Sequence, residues 1–100
     1  CEALWMGVPV VTLAGDRHSG RVGASLLARV GLGELVARSP AAYVETAQGL
    51  AQDREALGRL RGRLRSMIAE GGLTDARAFT AALEAAYREM WRAWCGRRTA

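Results

Sequence analysis

Val8-Pro9-Val10-Val11-Thr12-Leu13 is a short apolar run, dominated by β-branched side chains and bounded by Gly7 and Gly15. Such a run without polar alternation is the pattern of a strand buried on both faces, as in a parallel sheet. Pro9 is tolerated near the beginning of a strand and argues against a longer one. A buried strand must pair its backbone N–H and C=O groups on both sides. The sequence supplies at most one other short candidate, Glu34 to Ala37. The run therefore implies a sheet whose other members lie outside this sequence. It reads as the last β-α unit of an open α/β sheet, followed by helices that wrap back over it.

Outward from the strand, the periodicity changes to helical. Val22, Leu26, Leu27 and Val30 recur at three- and four-residue steps, predicting a helix over about 20–30 that ends at Gly31 and Gly33. Ser39-Pro40 is an N-cap followed by proline at the first helical position, where the missing N–H is harmless. Tyr43, Val44, Ala47 and Leu50 then share one face. Asp53 caps the next helix, with Leu57, Leu60, Leu64, Met67 and Ile68 as its buried stripe and Gly71-Gly72 as its end. Thr74 or Asp75 opens the last helix. Its stripe of Phe79, Leu83, Ala86, Tyr87, Met90, Trp91 and Trp94 is large and aromatic, and is expected to be core, packed against the sheet or the opposing domain. The expected organisation is residues 1–38 as the end of a nucleotide-binding unit, 39–95 as helices packing back on it, and 96–100 as a frayed tail.

Composition limits the function classes. Half of the 100 residues are hydrophobic, enough for a modest core. No segment reaches the roughly eighteen consecutive apolar residues of a membrane span, and no secretory signal pattern is present. Cys1 and Cys95 lie at opposite ends without metal-type spacing, and read as free thiols in a reducing, cytoplasmic compartment. The single His18 has no companions with which to hold a metal. The net charge is +4 and every cation is Arg. Arg59, Arg61, Arg63 and Arg65 wind around a helix without interleaved aromatics, so they read as solvated faces rather than a nucleic-acid groove.

Candidate chemistry is concentrated in residues 2–20. Glu2 to Met6 reads as the end of a helix delivering a carboxylate, with Leu4 and Trp5 on its buried side and Gly7 turning the chain into the strand. In α/β nucleotide-binding domains ligands sit outside the carboxyl ends of the strands. A carboxylate there accepts hydrogen bonds from ribose hydroxyls; the alternative is an exposed terminal glutamate. Asp16, Arg17, His18, Ser19 and Arg21 line the entrance of the following helix, whose N–H groups favour an anion by roughly 0.3–1 kcal/mol. A structural loop is the simpler account of them, and no general base is assigned.

The string C-E-A-L-W-M-G-V-P-V-V-T-L-A-G-D-R-H-S-G-R-V-G-A-S-L-L resembles the SPINDLY-like, O-linked N-acetylglucosamine transferase family. F-T-A-A-L-E-A-A-Y-R-E-M-W-R-A-W resembles that family's terminal helix, so the likeness runs through about Trp94. The resemblance implies the C-terminal fragment of a Rossmann-like donor-binding domain of GT-B type, predominantly helical with one or two short strands. It further implies upstream catalytic domains, commonly with tetratricopeptide repeats. The implied reaction moves a sugar, usually N-acetylglucosamine from its UDP donor, onto Ser or Thr hydroxyls of a protein acceptor. One plant branch of the family uses GDP-fucose.

By the same resemblance Glu2 matches an acidic position that contacts the donor ribose. The family often has Asp there. The His-Thr-Thr type stretch that binds the diphosphate is not in this sequence, nor are catalytic residues, so carry-over stops at Glu2. No cofactor beyond the nucleotide sugar is implied, and no nucleic-acid or membrane partner. The alternative reading is a helical protein-interaction module that uses the Phe79–Trp94 face.

Overall fold

The computed structural model describes residues 1–98. Its elements run α1 (Glu2–Trp5), β1 (Thr12–Leu13), α2 (Val22–Arg29), a 3₁₀ turn (Gly33–Leu35), β2 (Val36–Ala37), α3 (Pro40–Gln52), α4 (Arg54–Glu70) and α5 (Ala76–Arg98). Two parallel strands and five α-helices make a predominantly helical α/β unit. β1 pairs with β2 through Thr12 opposite Val36 and Leu13 opposite Ala37, extended by a bond from the Ala14 amide to the Ala37 carbonyl.

The run expected as a strand over about 8–13 is thus hydrogen-bonded as a ladder only at Thr12–Leu13. Val8 to Val11 has no ladder partner among the described residues. One pairing strand cannot satisfy both sides of a six-residue run. The Glu34–Ala37 candidate divides between the 3₁₀ turn and β2. Residues 96–98, expected to fray, continue α5, whereas 99–100 lie outside the described residues.

Glycines end the helices where the backbone must turn left-handed. Gly7 has φ +76° and Gly31 has φ +78°. After α1 the Val8 amide donates to the Ala3 carbonyl and the Gly7 amide to the Leu4 carbonyl. The same pair of bonds closes α2, from Leu32 to Leu27 and from Gly31 to Ala28. This arrangement satisfies carbonyls that the helix itself leaves open. At the other ends, Ser39, Asp53 and Asp75 accept from the amides of Ala42, Ala56 and Ala78 at 3.1, 2.9 and 2.9 Å. Of the two expected openers of α5, Asp75 makes the capping bond.

The core is a single cluster. Leu4 of α1, Leu27 and Val30 of α2, Leu32, Leu35, and Leu64 and Ile68 of α4 are all buried, and Leu64 is fully enclosed. Leu57, Leu60 and Met67 are half-buried beside them, as the α4 stripe predicts. α3 presents a different face from the one expected. Ala42, Thr46 and Leu50 are its half-buried residues, while Tyr43 and Val44 are exposed. Thr46 faces inward without loss because its hydroxyl donates to the Ala42 carbonyl at 2.8 Å.

α5 lies outside that cluster. No residue of this helix is buried, and Phe79 and Trp91 are 67% and 63% exposed. Its aromatics find one another instead, with Trp91 and Trp94 stacked at 5.2 Å and Arg98 over the Trp94 ring at 4.7 Å. Helices α1 to α4 already close the small core. The stripe therefore has no apolar surface to meet among the described residues.

Leu64→Ala leaves a cavity where three helices meet, at a cost of about 2–5 kcal/mol. Hydrogen exchange in the full-length protein should accelerate across α1 and α2 as well as α4. In the isolated segment, amides at Val10 and Val11 should exchange far faster than those at Leu64 and Ile68, since they lack ladder partners.

Candidate functional site

The carboxylate candidate sits on α1, one turn before its carbonyl end. Leu4 is its one buried residue. What fixes the rest is α4. Arg65 Nε donates to the Trp5 carbonyl at 3.0 Å, and Arg61 Nε donates to the Gly7 carbonyl at 2.9 Å. The Arg65 guanidinium also lies over the Trp5 indole, 4.9 Å from its centroid. Gly7 comes so close to α4 that a Cβ there would stand 3.2 Å from the Arg61 carbonyl oxygen.

The expectation that these arginines are simply solvated is therefore corrected for two of them. Arg61 and Arg65 bind carbonyls 54 and 60 residues away. Arg59 does remain on the solvent side, paired with Glu55 at 2.7 Å. Periodicity gives no warning of this, because a guanidinium reaching a distant backbone leaves no spacing signal. The one available hint is that Arg61 and Arg65 are one turn apart and flank buried Leu64.

Glu2 itself is exposed, and its carboxylate forms no hydrogen bond or ion pair with any described residue. It lines a shallow hollow of about 270 Å³ with Cys1, Trp5, Ile68, Leu73 and Thr74. Of the loop candidates, His18 and Arg21 border a separate, larger cleft of about 700 Å³, whereas Asp16, Arg17 and Ser19 line neither hollow. Ser25 and Arg38 also lie on the wall of that cleft. His18 and Arg21 follow β1 and Arg38 follows β2, so this cleft takes residues from the segments after both strands. Within this chain Glu2 and the His18–Arg21 loop do not share a hollow.

The loop is internally fastened. Gly15 donates its amide to Gly20, Gly20 to Arg17, and Arg21 donates both its amide to His18 and its guanidinium to the Gly15 carbonyl. Gly15 and Gly20 approach so closely that a Cβ on either would meet the other's Cα at 3.3 Å. That closure agrees with a structural role for the loop. Among the described residues no cluster of three or more His, Cys, Asp or Glu side chains is placed to hold a metal. No described helix is long and apolar enough to cross a membrane.

Comparison with known proteins decides the lineage. Residues 1–83 match Glycosyl transferase family 41. The chain belongs to that family. It is 53% identical over 95 residues to a rice (Oryza sativa subsp. japonica) protein named as a probable UDP-N-acetylglucosamine–peptide N-acetylglucosaminyltransferase SPINDLY. A protein of the same description from Arabidopsis thaliana is 47% identical over 95 residues. Each alignment covers 95% of this chain and 10% of the relative.

Among solved structures, an O-GlcNAc transferase mutant from Thermobaculum terrenum superposes with a TM-score of 0.82 at 50% identity. That likeness covers 95% of this chain and 18% of the other. This family 41 segment therefore has the fold of part of a GT-B transferase, as the sequence resemblance implies, and spans about a tenth of its plant relatives.

The α1–α4 junction is sensitive at Gly7. Gly7→Ala forces a left-handed residue to carry a side chain, at roughly 1–2 kcal/mol, with the Arg61 carbonyl in its way. The expected result is a lowered unfolding midpoint and a changed Trp5 environment, read by intrinsic fluorescence.

Proposed function

We propose that this family 41 segment serves a protein that transfers N-acetylglucosamine from UDP-N-acetylglucosamine to Ser or Thr hydroxyls of a protein acceptor. In that reading Glu2 accepts hydrogen bonds from the donor ribose. The observation that carries it is the match along nearly the whole chain, at 53% identity, to a relative named for that transfer. The exposed, unengaged carboxylate of Glu2 on a backbone-anchored turn supports the site assignment.

The chemistry assigns most of the work to residues outside this chain. A nucleotide sugar lies between two Rossmann-like domains, and its diphosphate departs as the acceptor oxygen attacks the anomeric carbon. Preorganised donors and positive charge that stabilise the departing diphosphate are the expected main catalytic contribution. This segment contributes a grip on the ribose, which orients the donor without touching the reacting bond. The reading needs no resident cofactor and no nucleic-acid or membrane partner. It places the protein in the cytoplasm, with upstream catalytic domains and tetratricopeptide repeats presenting the acceptor.

The aromatic face of α5 favours a second proposal alongside the first. Phe79, Tyr87, Met90 and Trp91 are each more than half exposed here, and a contiguous apolar face of this kind marks a docking surface. In the transferase reading the upstream catalytic region of the same protein covers it. In the interaction-module reading a separate partner does.

Calorimetric titration of UDP-N-acetylglucosamine into the full-length protein tests the assignment, with GDP-fucose in parallel. Glu2→Ala should weaken donor binding by about ten- to a hundredfold, the range for hydrogen bonds to a charged group. Unchanged affinity would remove Glu2 from the site. A folded full-length protein that binds neither nucleotide sugar would favour the interaction module.

A further inference from the structure

We infer that Arg61 and Arg65 are positioning residues for the donor site, holding the α1 turn so that the Glu2 carboxylate is presented in one orientation. The inference rests on the assignment of Glu2 to the donor ribose, and adds to it the means by which that carboxylate is held.

α1 ends at Trp5, one turn after Glu2. Its last carbonyls need partners from elsewhere. Those of Ala3 and Leu4 are met locally by Val8 and Gly7, and that of Trp5 is met by Arg65. The Gly7 carbonyl, just past the turn, is met by Arg61. Both arginines donate through Nε, the nitrogen nearest the side-chain stem, so each bond is tied to the line of the α4 backbone.

The two donors are one helical turn apart and flank Leu64, whose complete burial fixes that stretch of α4. Arg65 adds a third restraint by covering the Trp5 indole. A positive charge beside the carbonyl end of a helix is also electrostatically favourable. The turn is therefore held at its carbonyl end by α4, while Leu4 holds its inner face. Glu2, at the opposite end, inherits its direction from these anchors. A ligand hydrogen bond tolerates only about half an ångström of drift, so a loosened turn would weaken donor binding with every group that touches the donor still present.

Lysine variants separate positioning from charge. Arg61→Lys/Arg65→Lys keeps both positive charges but removes the Nε donors and the planar stacking group. Titration of UDP-N-acetylglucosamine into the full-length protein, in the native and the Glu2→Ala backgrounds, completes a double-mutant cycle. The expected result is a roughly tenfold loss of affinity with Glu2 present and less than about twofold without it, the unfolding midpoint serving as the control on folding. Equal losses in both backgrounds would overturn the inference by showing that the arginines act on the donor or the fold independently of Glu2. No loss in the native background would overturn it as well.

If Glu2→Ala alone leaves affinity unchanged, the ribose assignment has failed and this inference falls with it. A Glu2 effect without an arginine effect overturns the positioning role alone. Should the paired variant not fold, Arg65→Lys and Arg61→Lys taken singly give the same comparison, each with an expected loss of about threefold in the native background.

Discussion

Leu64 lies at the point where the first and second halves of the chain meet. Its complete burial against the cluster containing Leu4 and Leu27 brings α4 alongside α1. The short parallel ladder does not have enough pairing to stand without that support. Burying one leucine side chain is worth about 1.5–3 kcal/mol, comparable with the effect of several exposed hydrogen bonds. The polar contacts at Trp5 and Gly7 therefore refine an approach that apolar burial has already made. Hydrophobic contact sets the distance between the helices, and the arginine bonds set their orientation.

Two devices recur at the helix ends. The amide ends of α3, α4 and α5 are closed by a side-chain oxygen, from Ser39, Asp53 and Asp75. The carbonyl ends of α1 and α2 are closed by a left-handed glycine, Gly7 and Gly31. No buried side-chain nitrogen or oxygen among the described residues lacks a partner. A chain with so few enclosed residues has little tolerance for such a group, because each would cost about 1–3 kcal/mol.

The caps and the strand were legible because they obey short-range rules. Ser39-Pro40, Asp53 and the glycine stops depend on neighbours within a few residues, and each is realised. The position of β1 followed from its β-branched run, whereas its paired length depended on a second strand two residues long. Hydrophobicity alone favours Tyr43 and Val44 as the inner face of α3, whereas the structure turns in Thr46, whose hydroxyl is satisfied inside its own helix. The α5 stripe is legible from its spacing, but its burial is a property of whatever lies opposite, and the described residues supply no such surface. Glu2 came from resemblance alone, while Arg61 and Arg65 became visible only when positions 54 and 60 residues apart were seen in contact.

Pro9 takes on a further significance beside Val10 and Val11, which have no ladder partner among the described residues. An extended β-branched run with open backbone groups is a template on which another chain can add, the first step of ordered aggregation. Proline has no amide hydrogen to donate, so at that position an incoming strand meets a gap in the ladder. While the run is exposed, before neighbouring strands are in place, Pro9 thus breaks the row of donors along which copies of the chain would pair.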